Sequence, residues 1–137
     1  MAETLTFSKK YEYDTRKPGI TVNAVLKSES GEVACDPKID SGSENCIFER
    51  GLGAALGFEV ENGHPKRFST VTGSFLAYGH DVALSVLGVE ITATVYFAAD
   101  ENFTRNVLGR QRWLDRVRLG LVDYEGKLYL SDYNESE

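Results

Sequence analysis

Apolar and polar side chains alternate from Ile20 to Lys27: Ile20, Val22, Ala24 and Leu26 fall on one side, Thr21, Asn23 and Lys27 on the other. Successive side chains of an extended chain face opposite ways, so a period of two predicts a half-buried strand. The polar stretch Ser28 to Glu32 is a turn leading into a second strand that ends at Ile39, and Cys46, Ile47 and Phe48 form a further short strand. Phe48, Leu52, Ala55 and Leu56 then recur at helical spacing. Gly51 and Gly53 weaken that helix to a turn or two, and Gly57 stops it. Phe58 and Val60 resume extended chain, with a turn signal at Asn62-Gly63.

Phe68 to Leu87 reads as a long hairpin with bends at Gly73 and Gly79. Val82, Leu84 and Val86 alternate in its second arm. After a turn at Gly88, Val89, Ile91, Ala93, Val95 and Phe97 alternate again. Asp100 to Asn106 is a polar connection, and Val107-Leu108-Gly109-Arg110 opens a short helix with Trp113, Leu114 and Val117 on its core face. Leu119 to Tyr124 and Lys127 to Tyr133 make a closing hairpin across Glu125-Gly126, and Asn134 to Glu137 should fray. Several short strands, one or two brief helices, no internal repeat and no linker predict a single all-β domain over residues 1–137, a small closed barrel.

Composition narrows the classes of partner. At 137 residues, with 42% hydrophobic and 26% charged positions, the chain is long enough for one buried core. No apolar run reaches the roughly 18 residues that a membrane helix needs, so no membrane partner is expected. Met1 to Lys10 lacks the basic stretch, apolar core and cleavage site of a secretory signal, which points to a cytoplasmic protein. On that reading the sequons at Asn102 and Asn134 carry no glycan. A net charge of −6 repels nucleic acid. The local run Arg105, Arg110, Arg112, Arg116 and Arg118 reads mostly as the solvated face of the short helix. In a reducing compartment Cys35 and Cys46 are small core residues rather than a disulfide. Together with His64 and His80 they lack any paired metal-ligand spacing, so no metal and no cofactor are expected.

Ile39-Asp40-Ser41-Gly42-Ser43 is the segment with chemistry in it. Each position has a physical job if this is an aspartic protease loop: Asp40 supplies a carboxylate, Gly42 lets backbone approach a substrate closely, Ser43 keeps the site open, and Ser41 can donate a hydroxyl hydrogen bond across a two-fold axis. One carboxylate does not suffice for peptide hydrolysis by this route. Two must lie roughly 3 Å apart and share a proton, one acting as base toward water while the other polarises the carbonyl. The chain holds one such triplet, and an identical chain in a two-fold dimer would supply the other. The competing reading is a plain surface turn, which Asp and Gly favour on their own account.

The order of segments around this triplet resembles the retropepsin family, including its small non-viral aspartic protease domains. A hairpin precedes the Asp loop; an outgoing strand, a long glycine-containing hairpin and a strand pair follow. Two apolar residues, Gly and Arg then lead into an amphipathic segment. The likeness spans about residues 18 to 122. It implies that Val107, Leu108 and Gly109 pack against the Asp40 loop as a supporting element. Val86-Leu87-Gly88 has the same form but lacks the following arginine and reads as a strand-end turn. The resemblance further implies an Arg110–Glu44 ion pair beneath the loop. It also implies a substrate-binding flap in the hairpin Phe68 to Ala83, with Thr70, Val71, Thr72, Gly73 and Ser74 at its tip. The chain departs from the family in having Ser41 where Thr is commoner, in lacking a dense glycine cluster in the flap, and in the length of its C-terminal hairpin, residues 119–133.

Taken together, the resemblance implies a homodimeric aspartic endopeptidase acting on peptide or protein substrates, without metal or cofactor. It would be most active at acidic to mildly acidic pH and cut between apolar residues. Two other readings stand beside it. One is a retropepsin-like binding or dimerisation module that keeps the loop without cleaving. The other is an unrelated β-barrel ligand binder, in which Asp40 lies far from Val107 to Gly109.

Overall fold

The computed structural model describes residues 1–134. The chain runs through β1 (Lys9–Glu12), β2 (Ala24–Lys27), β3 (Glu32–Cys35), β4 (Lys38–Ile39), β5 (Ile47–Phe48) and the helix α1 (Arg50–Ala55). It continues through β6 (His64–Thr70), β7 (Gly73–Val86), β8 (Val89–Ala98), β9 (Val107–Leu108), β10 (Val117–Val122) and β11 (Lys127–Asp132). Three 3-10 turns lie at Val60–Asn62, Leu114–Arg116 and Asp123–Glu125. The fold is all-β, with one short helix. Among the described residues no helix is long and apolar enough to cross a membrane.

The main sheet has the order β3-β2-β7-β8-β5-β9-β4, with β6 joined to β7. A smaller sheet has the order β1-β11-β10. The period-two pattern determines which side chains turn inward: Leu26 on β2, Leu84 and Val86 on β7, and Ala93, Val95 and Phe97 on β8 are all buried. They meet Phe48, Leu56, Leu108, Trp113, Leu128 and Leu130 in one core. Each such Leu or Phe contributes about 1.5–3 kcal/mol relative to exposure, which is what holds the two sheets together. A second, smaller cluster of Ile47, Phe68, Ala77 and Val107 is packed against by Phe75, Tyr96 and Phe103.

Two details of pairing place the site. First, β9 lies between β5 and β4, parallel to β4 and antiparallel to β5 at Ile47↔Val107. The loop from Asp40 to Cys46 therefore leaves one side of β9 and returns on the other. Second, residues 73–76 of β7 pair with β6, whereas the ladder to β8 begins only at Ala77↔Ala98. The β6–β7 tip thus extends past the β8 ladder as a two-stranded arm, with Phe75 packed on Phe68 and Phe103.

Several expectations are corrected. The short helix expected around Trp113 is a single 3-10 turn, Leu114–Arg116, and not an α-helix. Arg112 adopts φ 75° and its N–H donates to Asp115 Oδ1 at 2.9 Å, which breaks helical geometry, and the chain goes straight from a 3-10 turn into β10. Trp113 and Val117 are nevertheless buried as expected. Val60 is in a 3-10 turn rather than extended chain. Gly63 serves close packing there, since an added Cβ would lie 2.5 Å from both the Gly79 carbonyl and His80 Nε2. Gly79 is no bend: it sits inside β7, where a Cβ would meet the Tyr96 ring at 2.9 Å. β1, which pairs with β11 from Lys9↔Leu130 to Glu12↔Lys127, has no counterpart in the sequence reading. Of the tail Asn134 to Glu137 expected to fray, the Asn134 N–H donates to Asp132 Oδ1 at 3.2 Å, and positions 135–137 lie outside the described residues.

Candidate active site

Asp40 is the first residue after β4, and its backbone stays bound to β9: the Asp40 N–H donates to the Leu108 carbonyl at 3.0 Å. Its own carbonyl accepts the Ser43 N–H at 3.0 Å, and its Oδ1 accepts the Gly42 N–H at 2.9 Å. These bonds close a tight turn that leaves the half-buried carboxylate at a cleft and Ser41 and Gly42 exposed. Beyond the turn, Ser43 Oγ donates to the Asn45 carbonyl at 2.7 Å.

The return limb is fastened to the chain after β9. The Arg110 N–H donates to the Ser43 carbonyl and the Gln111 N–H to the Glu44 carbonyl, both at 2.9 Å. The buried Cys46 accepts the Gly109 N–H at 3.4 Å. Only glycine fits position 109, because a Cβ would lie 2.2 Å from the Asn45 carbonyl oxygen and 2.7 Å from that of Ser43. Val107, Leu108 and Gly109 are thus brought together with Asp40, Ser41, Gly42 and Ser43. A β-barrel ligand binder with Asp40 remote from Val107 to Gly109 does not describe this chain.

The expected Arg110–Glu44 ion pair is absent among the described residues. The backbone register sets Gln111, not Arg110, opposite Glu44, and Gln111 Nε2 lies 3.4 Å from Glu44 Oε1. The cation beside Glu44 is instead Lys66 on β6, with Nζ 3.8 Å from Oε1. Lys66 also donates to Oδ1 of the buried Asn45 at 3.1 Å, and its ammonium lies 5.3 Å and 5.8 Å from the ring centres of Phe68 and Tyr96. One lysine therefore ties the base of the projecting hairpin to the Asp40 loop.

The cleft beside Asp40 has a volume of about 620 Å³. Its inner wall is apolar, made of Ile47, Phe68, Phe75, Phe103 and Val107. The rings are interlocked: Phe68–Phe75 at 5.4 Å, Phe75–Phe103 at 4.8 Å and Phe68–Tyr96 at 5.3 Å between centres. Thr70, Val71 and Thr72 of the hairpin line the cleft, whereas Gly73 and Ser74 do not. Thr70 Oγ1 donates to the Gly73 carbonyl at 3.1 Å to close the tip, and Val71 is fully exposed. On the other flank of the Asp40 loop, Ser41, Gly42, Glu44, Arg110, Gln111 and Asp115 border a second concavity of about 440 Å³. Among the described residues no group of three or more His, Cys, Asp or Glu side chains could hold a metal ion.

Sequence reasoning missed Lys66, Asn45, Phe75 and Phe103, and assigned Arg105 to a helix face rather than to the cleft. Lys66 was within reach of the period-two rule, since Lys66 and Phe68 share a face of β6.

The interleaved β4-β9-β5 arrangement, the Asp40 loop over it and the projecting hairpin make this a retropepsin-like fold. Among solved structures, the EIAV protease complexed with the inhibitor HBY-793 matches with a TM-score of 0.56, covering 72% of this chain and 88% of its own at 15% identity. At that identity the likeness concerns the fold. No protein-family model matches the chain, and none of the curated proteins does.

Proposed function

We propose that this chain is one half of an aspartic endopeptidase, in which the Asp40 carboxylates of two identical copies hold one proton between them and activate water against a peptide bond. The supporting observation is the anchoring of Asp40: main-chain bonds from Gly42 and to Leu108 hold its carboxylate at a peptide-sized cleft with an apolar inner wall, bordered by the β6–β7 hairpin. The other carboxylate on the cleft wall, Glu44, faces the Lys66 ammonium at 3.8 Å. On this reading the proton-sharing partner of Asp40 is the Asp40 of a second copy, which a two-fold pair supplies without further sequence. Ser41, exposed beside Asp40, would face its own copy across that axis, and residues 70–74 would close over the bound peptide.

In this mechanism one carboxylate takes a proton from water as the other, protonated, donates to the scissile carbonyl. Collapse of the tetrahedral intermediate returns the proton to the leaving amine. No covalent intermediate forms.

Cleavage of a mixed peptide library between about pH 3 and 7 tests the reading, with Asp40→Asn alongside. Asparagine preserves the turn but cannot act as the base. Cleavage that is present in the unaltered protein and lost in Asp40→Asn supports it. A folded dimer of the unaltered protein that cuts nothing across that range refutes it and leaves a binding or dimerisation module.

A further inference from the structure

The charges on the cleft wall are unequally matched. Of its five ionisable side chains, Asp40, Glu44, Lys66, Arg67 and Arg105, the pair Glu44 and Lys66 face each other. Arg67 and Arg105 are exposed, and neither makes an ion pair or side-chain hydrogen bond among the described residues. Two unopposed guanidinium groups therefore stand against the single carboxylate of Asp40, on a chain whose net charge is −6. The local sign is the reverse of the whole molecule's.

Their placement ties that charge to the apolar wall. Arg67 and Arg105 line the same cleft as Phe68, Phe103 and Val107. Each cation thus borders the surface that would take an apolar side chain. Guanidinium presents a planar fork of donors that matches a carboxylate, and it is charged at every pH at which the protein is folded. A lysine-rich peptide would set like charges against both arginines.

We propose that the cleft selects peptides carrying an acidic side chain beside a large apolar one, with Arg67 and Arg105 taking the carboxylate. This rests on reading the cleft as the peptide site of a two-fold pair. Each copy then contributes its own two arginines, so the acidic preference recurs on both sides of the cleaved bond.

The test separates binding from cleavage by using Asp40→Asn. Labelled peptides with one shared apolar centre, flanked by Glu, Gln or Lys, are titrated by fluorescence anisotropy at low salt. The Glu peptide is expected to bind about 2–5-fold more tightly than the Gln peptide, the range of a partly exposed charge pair, and the Lys peptide most weakly. Raising salt to about 0.5 M should shrink the spread. In the Asp40→Asn background, Arg67→Gln with Arg105→Gln should abolish the order, and Arg67→Glu with Arg105→Glu should invert it. Equal affinities for the three peptides, no binding of any of them, or an order untouched by both double variants overturns the proposal. Cleavage of the same peptides by the unaltered protein is scored apart. A Glu preference in binding with no cleavage refutes the peptidase reading and leaves the binding preference standing.

Discussion

Gly109→Ala tests whether the Asp40 loop is held as the contacts describe. The new Cβ would lie 2.2 Å from the Asn45 carbonyl oxygen, and ordinary contact begins near 3.4 Å, so the strands must part by about 1.2 Å. Both neighbours are backbone, which cannot rotate away as a side chain would. Parting them strains or breaks the Arg110–Ser43 and Gln111–Glu44 main-chain bonds, each 2.9 Å long. Two such bonds at about 1 kcal/mol each, with about 1–3 kcal/mol of overpacking, give a loss of about 3–5 kcal/mol. Against a total stability of about 5–15 kcal/mol, that lowers the urea midpoint markedly while leaving the slope unchanged. Gly51→Ala is the matched control: this glycine lies in α1 with nothing within 4 Å of an added Cβ, so alanine should stabilise by about 0.5–1 kcal/mol. All proteins are compared at one concentration, because association would add to apparent stability. A Gly109→Ala protein within about 1 kcal/mol of the unaltered one would refute the claim that this close approach supports the loop.

Lys66→Met keeps an apolar stem against Phe68 and Tyr96 but removes the ammonium, leaving the buried Asn45 oxygen without its side-chain donor. A loss of about 1–3 kcal/mol in urea unfolding is expected, with faster amide exchange at the base of the β6–β7 arm; unchanged exchange there would remove the tie between arm and loop. Burial pushes the thiols of Cys35 and Cys46 from 9.0 up to about 11, and burial followed by the hydrogen bond to Asp123 pushes the Tyr13 hydroxyl from 10.0 up to about 12. The folded state holds these protons more tightly than the unfolded chain does, so stability is complete below about pH 9 and falls as pH rises toward 12. Urea midpoints that stay level from pH 8 to 11 would contradict this, as would rapid alkylation of Cys46 in the native protein near neutral pH.

The long strands were legible because burial imposes alternation. Val89, Ala93, Val95 and Phe97 had to face inward together, and Gly88, at φ 81°, makes the turn that precedes them. The contact between the Asp40 triplet and Val107 to Gly109 was legible only through resemblance, since two-residue strands such as β4 and β9 carry no periodicity. β1 was invisible for a related reason. Its four residues are exposed or half-exposed, and its pairing is made by backbone groups that every residue possesses. The Arg110–Glu44 expectation failed on register: an offset of one residue put Gln111 where arginine was anticipated and left Glu44 to a lysine about twenty positions further along the chain.

That exchange bears on how the site would assemble. The Asp40 loop is secured on one flank by residues 108–111 and Lys66, all within the chain. The Arg110 side chain, by contrast with its main chain, is exposed and makes no ion pair among the described residues, in the same concavity as Asp115 and Ser41. On the proposed reading a two-fold pair would set this surface against its own image, where the guanidinium of one copy could meet a carboxylate of the other. Had Arg110 paired with Glu44 inside the chain, that cation would be spent. With Glu44 facing Lys66 instead, the Arg110 guanidinium stays exposed beside Ser41 and Gly42 of the Asp40 loop. On that reading, the same substitution of partners that defeated the sequence expectation leaves a cation for the proposed two-fold contact.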